Sequence, residues 1–207
     1  MKVYSVHQHR LVCGDITNSK VVETLMKNDK ADIIYSDPPW GPGNQKYWHT
    51  MKEKGSVPQT DWMGFLRTFA SVCSEHRTSE APVFVEMGLR WIGDLDTVMK
   101  EVGLPLLGRW EIFYGTKKKP FKNTVAAYGA DYPEFVLPSP PHGEPVTRAI
   151  LEAVVKKGDI VLDPCTGKGM TARITHKLGG VFRGSEMNVQ RLHVTKQWLE
   201  KAAGVVS

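Results

Sequence analysis

The chain has 207 residues, a length for one domain with a core of its own, and its 41% hydrophobic and 24% charged content is that of a globular protein. The net charge of +5 points to an anionic partner, with nucleic acid the commonest, while Cys13, Cys73 and Cys165 are too scattered for a structural zinc site and suit a reduced interior. No apolar run approaches membrane-spanning length and MKVYSVHQHR lacks a signal-peptide hydrophobic region, so a cytoplasmic protein without membrane contact is expected.

In chain order, RLVCGD (10–15) is a short apolar run ending at glycine. TNSKVVETLMKN follows as a helix with Thr17 or Asn18 as cap and apolar residues at 21, 22, 25 and 26. ADIIYS (31–36) is a continuous β-branched and aromatic run, suited to a strand buried on both faces. From Gly41 to about Gln59 the chain is rich in Gly, Pro, Lys and Trp without a period, and is expected to be a long functional loop.

TDWMGFLRTFASVCSEH carries a helical apolar stripe at 62, 65, 66, 69, 72 and 73. APVFVEMG is the strand expected after it, and RWIGDLDTVMKEVG a helix closed by glycine. GRWEIFYG and DYPEFVL are strand candidates with no helix between them, an expected antiparallel edge hairpin, separated by the basic stretch TKKKPFKNTVAAYGA. LPSPPHGEP is a connector, TRAILEAVVKKGD a helix, and NVQRLHVTKQWLEKA the last helix. Between these two helices, DIVLDPCTGKGMTARITHKLGGVFRGSE reads strand, Gly-rich turn, helix, strand. The alternation predicts an α/β fold with a mostly parallel central sheet and helices on both faces.

Ligands of such sheets bind beyond the carboxyl ends of the strands. Strand 160–162 runs into Asp163, then Gly167 and Gly169 before a helix whose N-terminus favours a negative group. Glu186 closes the next strand, roughly 20 residues on, where an acid can take a ribose diol. The turn is neither a P-loop nor a full GxGxxG, so a nucleoside ligand smaller than a dinucleotide is expected and a dinucleotide oxidoreductase is not.

A strand ending in DPPW and a later strand ending in DPCTGKG resemble the S-adenosylmethionine-dependent amino-methyltransferases of DNA. The order, DPPW first, resembles their β-class of adenine-N6 and cytosine-N4 enzymes. LVCGDIT resembles the segment that opens this class, HGEPVTRAILEAVVKKGDIVLDP the helix before the glycine motif, and GSEMN the ribose-binding element. The resemblance covers nearly the whole chain and implies a Rossmann-like methyltransferase fold in a single domain over 1–207, without a large target-recognition domain. It implies cofactor contacts at Asp15, Asp163, Pro164, Cys165, Gly167, Gly169, Thr171 and Glu186. The chain departs from the family at Glu144, where lysine is common, and at Lys168 and Met170, where Ser and Thr are usual.

The resemblance assigns the chemistry to Asp37, Pro38, Pro39 and Trp40. An adenine amino group is a poor nucleophile because its lone pair is delocalised. Acceptors at Asp37 and at the Pro38 carbonyl, stiffened by Pro39, would localise that pair, and Trp40 would stack the flipped base. Aspartate in first position favours adenine over cytosine in the family. Lys46 and Trp48 in one loop, and Lys117, Lys118, Lys119 and Lys122 in another, are candidates for gripping double-stranded DNA. With no room for a recognition insert, a short or relaxed target sequence, or recognition shared across a homodimer, is expected. An RNA adenine-N6 methyltransferase and an inactive nucleic-acid-binding module of the same fold remain alternatives.

Overall fold

The computed structural model describes residues 1–45, 61–116 and 118–204. The described strands are β1 (Lys2–Val6), β2 (His9–Cys13), β3 (Ile33–Ser36), β4 (Val83–Met87), β5 (Leu106–Thr116), β6 (Lys119–Tyr128), β7 (Ile160–Asp163) and β8 (Val181–Glu186). The helices are α1 (Ser19–Met26), α2 (Trp62–Glu75), α3 (Ile92–Glu101), α4 (Glu144–Val154), α5 (Met170–Lys177) and α6 (Val189–Ala202).

All eight strands form one sheet in the order β1-β2-β8-β7-β3-β4-β6-β5. The five middle strands β2, β8, β7, β3 and β4 run parallel. Antiparallel pairs close both ends, β1 on β2 and the β5–β6 hairpin on β4. Beyond β7 the chain moves to β8 on one side, and beyond β3 to β4 on the other. The boundary between β3 and β7 is therefore the switch point at which a doubly wound sheet opens a crevice.

Side chains alternate across the pleat and build a core on each face. Ile34, Val83, Val85 and Leu162 pack with Val22 and Met26 of α1, Leu66 and Phe69 of α2, and Leu95 and Met99 of α3. Ile33, Tyr35, Phe84 and Val161 face the other way onto Ile150 and Leu151 of α4 and Ile174 of α5. Leu11 and Phe182 meet Leu192 and Leu199 of α6. Of the two expected caps Asn18 holds, accepting from the Lys20 amide at 3.2 Å, and Asp61 caps α2 by accepting from the Gly64 amide at 2.8 Å. Each satisfies a donor that a helix start leaves unpaired.

The edge hairpin is found, with GRWEIFYG in β5 as expected, but its second strand is not DYPEFVL. β6 is the basic stretch itself, and DYPEFVL has no regular secondary structure. β6 changes character along its length: residues 119–122 are exposed and residues 123–128 buried. The four-residue exposed end masks the buried Val-Ala-Ala-Tyr run that pairs with β4 and β5. In DYPEFVL, Pro133 cannot donate to a ladder. Its aromatics instead cover the sheet, with Tyr132 5.2 Å from Phe84 and Phe135 4.8 Å from Trp110 between ring centroids. β1, hidden in a mixed polar start, is a further strand that the sequence does not announce. Residues 42–45, inside the expected loop, are helical. No helix among the described residues is long and apolar enough to cross a membrane.

The two segments differ in what they tolerate. Val125 is fully buried and Val136 is 89% exposed. Val125→Asp is expected to cost at least about 3 kcal/mol, whereas Val136→Asp should stay within about 0.5 kcal/mol of the parent. Urea unfolding of the two variants checks this.

Candidate active site

Four neighbouring parallel strands, β2, β8, β7 and β3, deliver their carboxyl ends to one cavity of about 390 Å³. Gly14 and Asp15 follow β2, Ser185 and Glu186 end β8, Asp163 to Thr171 follow β7, and Asp37 to Trp40 follow β3. The predicted catalytic tetrapeptide and all the predicted cofactor residues except Gly169 line it.

One hydrogen bond ties its two halves together. Ser36 Oγ, the last residue of β3, donates to Asp163 Oδ1 at 2.8 Å across 127 residues of sequence. The same oxygen accepts the Cys165 amide at 3.0 Å, and Thr171 also bonds the carboxyl group. Asp163 is thus buried and committed to holding the turn. Burial raises its pKa to about 6 against the bonds from Ser36, Thr171 and Cys165, which lower it. Burial also pushes the Cys165 thiol well above its usual range, as does the Asp163 charge, so Cys165 is an uncharged wall.

Gly167 and Gly169 have φ of +57° and +80°. A Cβ at Gly169 would lie 2.5 Å from Thr195 Oγ1, so this glycine lets α6 pack against the turn. Its role is close packing beside the cavity, and that separates it from Gly167, which lines it.

At the rim, Glu186 Oε1 accepts the Asn188 amide at 2.8 Å and Oε2 lies 4.0 Å from Arg191 Nε. Burial raises its pKa. Asp15 Oδ1 accepts the Thr17 amide at 2.9 Å and hydroxyl at 2.8 Å, which positions it at the mouth and also starts α1. Glu144 Oε1 pairs with Arg148 at 2.7 Å and Oε2 lies 3.6 Å from Arg173, a cavity residue. The departure at position 144 is therefore coupled to a cation on α5.

Trp40 Nε1 donates to Asp37 Oδ1 at 2.5 Å. The indole is set against Tyr114 of β5 and Phe121 of β6, with centroids 5.0 and 5.7 Å away. Burial raises the Asp37 pKa well above the ordinary value, and the charge of Glu86 raises it further. Behind this wall, Glu86 of β4 is fully buried and receives hydroxyl bonds from Tyr35 at 2.7 Å, Thr147 at 3.3 Å and Tyr114.

Of the predicted nucleic-acid contacts, Lys46, Trp48 and Lys117 lie outside the described residues. Lys118 and Lys119 sit at the hairpin turn, and Lys122 is exposed but paired with Glu111 at 3.1 Å. Phe121 beside them is 47% exposed. The sequence reading missed Ile16, Phe65, Arg173 and Arg191 in the cavity. Phe65 belongs to the buried stripe of α2 and carries no signal that separates ligand wall from core. Arg173 and Arg191 fall in the first turn of helices that begin at strand ends, which is a usable signal. Among the described residues no three His, Cys, Asp or Glu side chains group to hold a metal ion.

No protein-family model matches the chain, nor does any curated protein. Solved structures do match. PvuII DNA methyltransferase (cytosine-N4-specific) aligns over 97% of this chain and 93% of its own, with a TM-score of 0.68 at 12% identity. TTHA0409 from Thermus thermophilus gives 0.66 at 16% identity over 96% of this chain and 97% of its own. M1.HpyAVI in complex with SAM gives 0.62 at 16% identity, over 91% and 97%. The chain has a Rossmann-like methyltransferase fold.

Two outcomes test this geometry. Gly169→Ala should lose about 1–3 kcal/mol of stability, and Thr195→Ala in the same chain should restore part of it; chemical unfolding of the four proteins of the cycle measures both. Asp163 has its folded pKa raised from 3.8 to about 6, so the stability it contributes is present below the unfolded pKa and is lost as pH rises through 6. Between pH 4 and 7 the wild type should therefore lose up to about 3 kcal/mol relative to Asp163→Asn, read from urea midpoints at each pH.

Proposed function

We propose that the protein transfers a methyl group from S-adenosylmethionine to the exocyclic N6 amino group of an adenine flipped out of double-stranded DNA. The observation that carries this reading is the Ser36–Asp163 contact, which sets DPPW beside the glycine-turn cavity.

The cavity suits the cofactor chemically. Its volume of about 390 Å³ lies within the small-ligand range of roughly 300–1,000 Å³. Ile16, Phe65, Pro164 and Met187 offer apolar surface for an adenine ring, Glu186 and Asp15 offer acceptors for a ribose diol and an amino group, and Arg173 offers a cation for a carboxylate. When bound, S-adenosylmethionine supplies a methyl group on a sulfonium and departs as a neutral thioether.

Asp37 and the Pro38 carbonyl accept the two amino N–H bonds and turn the nitrogen lone pair toward the methyl carbon. With the cofactor held there, the N–C bond would form as the C–S bond gave up its electron pair to sulfur. Positive charge passes to nitrogen, where Asp37 stabilises it and receives the surplus proton. Trp40 stacks the base, worth about 1–3 kcal/mol. Lys118, Lys119 and Lys122 face the phosphates from the hairpin, and Lys46, Trp48 and Lys117 are further DNA contacts in this proposal. The stretch from β3 to β7 is largely occupied by α2, β4, α3, β5, β6 and α4, which leaves a short or relaxed recognition site as the reading for the single domain.

Incubation with S-adenosylmethionine and unmethylated DNA, followed by nucleoside mass spectrometry, should reveal N6-methyladenine. Asp37→Ala should lower the rate on the order of 10²–10³-fold or more. N4-methylcytosine, or modification of RNA alone, would reassign the acceptor. Glu186→Gln should weaken cofactor binding about tenfold, a loss of about 1.4 kcal/mol, by isothermal titration calorimetry.

A further inference from the structure

Glu86 is the most deeply placed acid near the site, and the transfer chemistry above does not use it. It is fully buried on β4 and forms no ion pair with a Lys or Arg among the described residues. A buried carboxylate without a cation is costly, so its retention calls for a partner set that offsets the burial. That set consists of three hydroxyls from three separate elements: Tyr35 on β3, Tyr114 on β5 and Thr147 on α4. Two of these point back to the site. Tyr35 belongs to the strand that ends in the catalytic tetrapeptide. The Tyr114 ring lies 5.0 Å from Trp40, whose Nε1 in turn donates to Asp37.

We propose that Glu86 is a positioning residue for methyl transfer: it fixes the Tyr114 ring that backs Trp40 and, through the Trp40 N–H bonded to Asp37, orients the carboxylate that takes the proton shed by the methylated nitrogen. The inference rests on the proposed function. Its balance is that of the transfer itself: nitrogen gains the methyl carbon and loses one proton, and that proton passes to an Asp37 carboxylate oxygen.

The direction of the electrostatics follows from what surrounds Asp37. Burial, the Glu86 charge and the Asp163 charge raise its proton affinity, while the Trp40 N–H and the Arg191 charge lower it. Tyr114 stays a neutral donor, since burial and then the charges of Glu86 and Asp37 push its hydroxyl pKa upward. Glu86 is itself raised by burial and lowered by its bonds from Tyr114, Tyr35 and Thr147. Removing the Glu86 charge removes one of the contributions that raise Asp37, so Asp37 should then titrate at lower pH.

The test is Glu86→Gln, with Tyr114→Phe as a second variant that deletes one hydroxyl and keeps the ring. In protein carrying 13C-labelled aspartate, the Asp37 carboxyl signal, assigned against Asp37→Asn, is followed through a pH titration without substrate. Asp37 should titrate at lower pH in Glu86→Gln, whereas Tyr114→Phe keeps the Glu86 charge and should lower kcat without that downward shift. In Glu86→Gln the acid limb of kcat should move the same way, and in both variants kcat should fall about tenfold, with S-adenosylmethionine affinity within twofold of wild type. A folded Glu86→Gln with Asp37 titrating as in wild type and an unchanged kcat overturns the inference, and if that variant does not fold, an unchanged kcat in Tyr114→Phe overturns it. Absence of methyl transfer by the wild type refutes the proposed function instead, and the substrate-free titration separates that result from failure of the Glu86 role.

Discussion

The site depends on one contact between two strand ends. β3 and β7 are neighbours in a parallel sheet, so their terminal residues Ser36 and Asp163 stand side by side although 127 residues separate them. The same Asp163 oxygen takes the Cys165 amide, so one carboxylate orients the start of the glycine turn and clamps it to the strand that carries Asp37. Such an acid sits where water is excluded, and its raised pKa records how far its bonds fall short of offsetting that burial. Local precision is obtained at the expense of a buried group that is comfortable only when protonated or fully bonded.

The charge arrangement around the cavity follows a single logic. Asp15, Asp37, Asp163 and Glu186 line it from four strand ends, and Lys168, Arg173 and Arg191 lie among them. A uniform anionic pocket would repel a carboxylate-bearing ligand, and a uniform cationic one would repel a sulfonium. Mixed charge on a partly apolar lining suits a molecule that carries both signs and an aromatic ring. Glu144, by reaching Arg173, extends this pattern onto α4.

What could be read from the sequence was whatever depends on local pattern. The IIYS run, the Asn18 and Asp61 caps and the two punctuated strand ends all declare themselves through neighbouring residues, and their placement at adjacent strand ends follows from the general geometry of α/β sheets. The hairpin's second strand did not declare itself because β6 changes from an exposed basic end to a buried Val-Ala-Ala-Tyr run, so neither half shows a period. DYPEFVL misled in the opposite sense: its aromatics are a lid on the sheet, and the apolar pattern of a lid imitates that of a strand. Phe65, Glu86 and Tyr114 were beyond reach, since a buried helix face and a strand interior look the same whether their neighbours are core or ligand. Their roles are set by contacts between distant segments.

The division of β6 also separates two kinds of freedom. Its buried half is locked between β4 and β5, while its exposed half carries the lysines outward and touches the site through Phe121, set against Trp40. Residues there can be exchanged at little energetic penalty to the sheet. The hairpin turn at Lys118 and Lys119, short of the Phe121 that backs Trp40, is thus open to diversification, by selection in nature or by a library in the laboratory, with the aromatic wall beside Asp37 left in place.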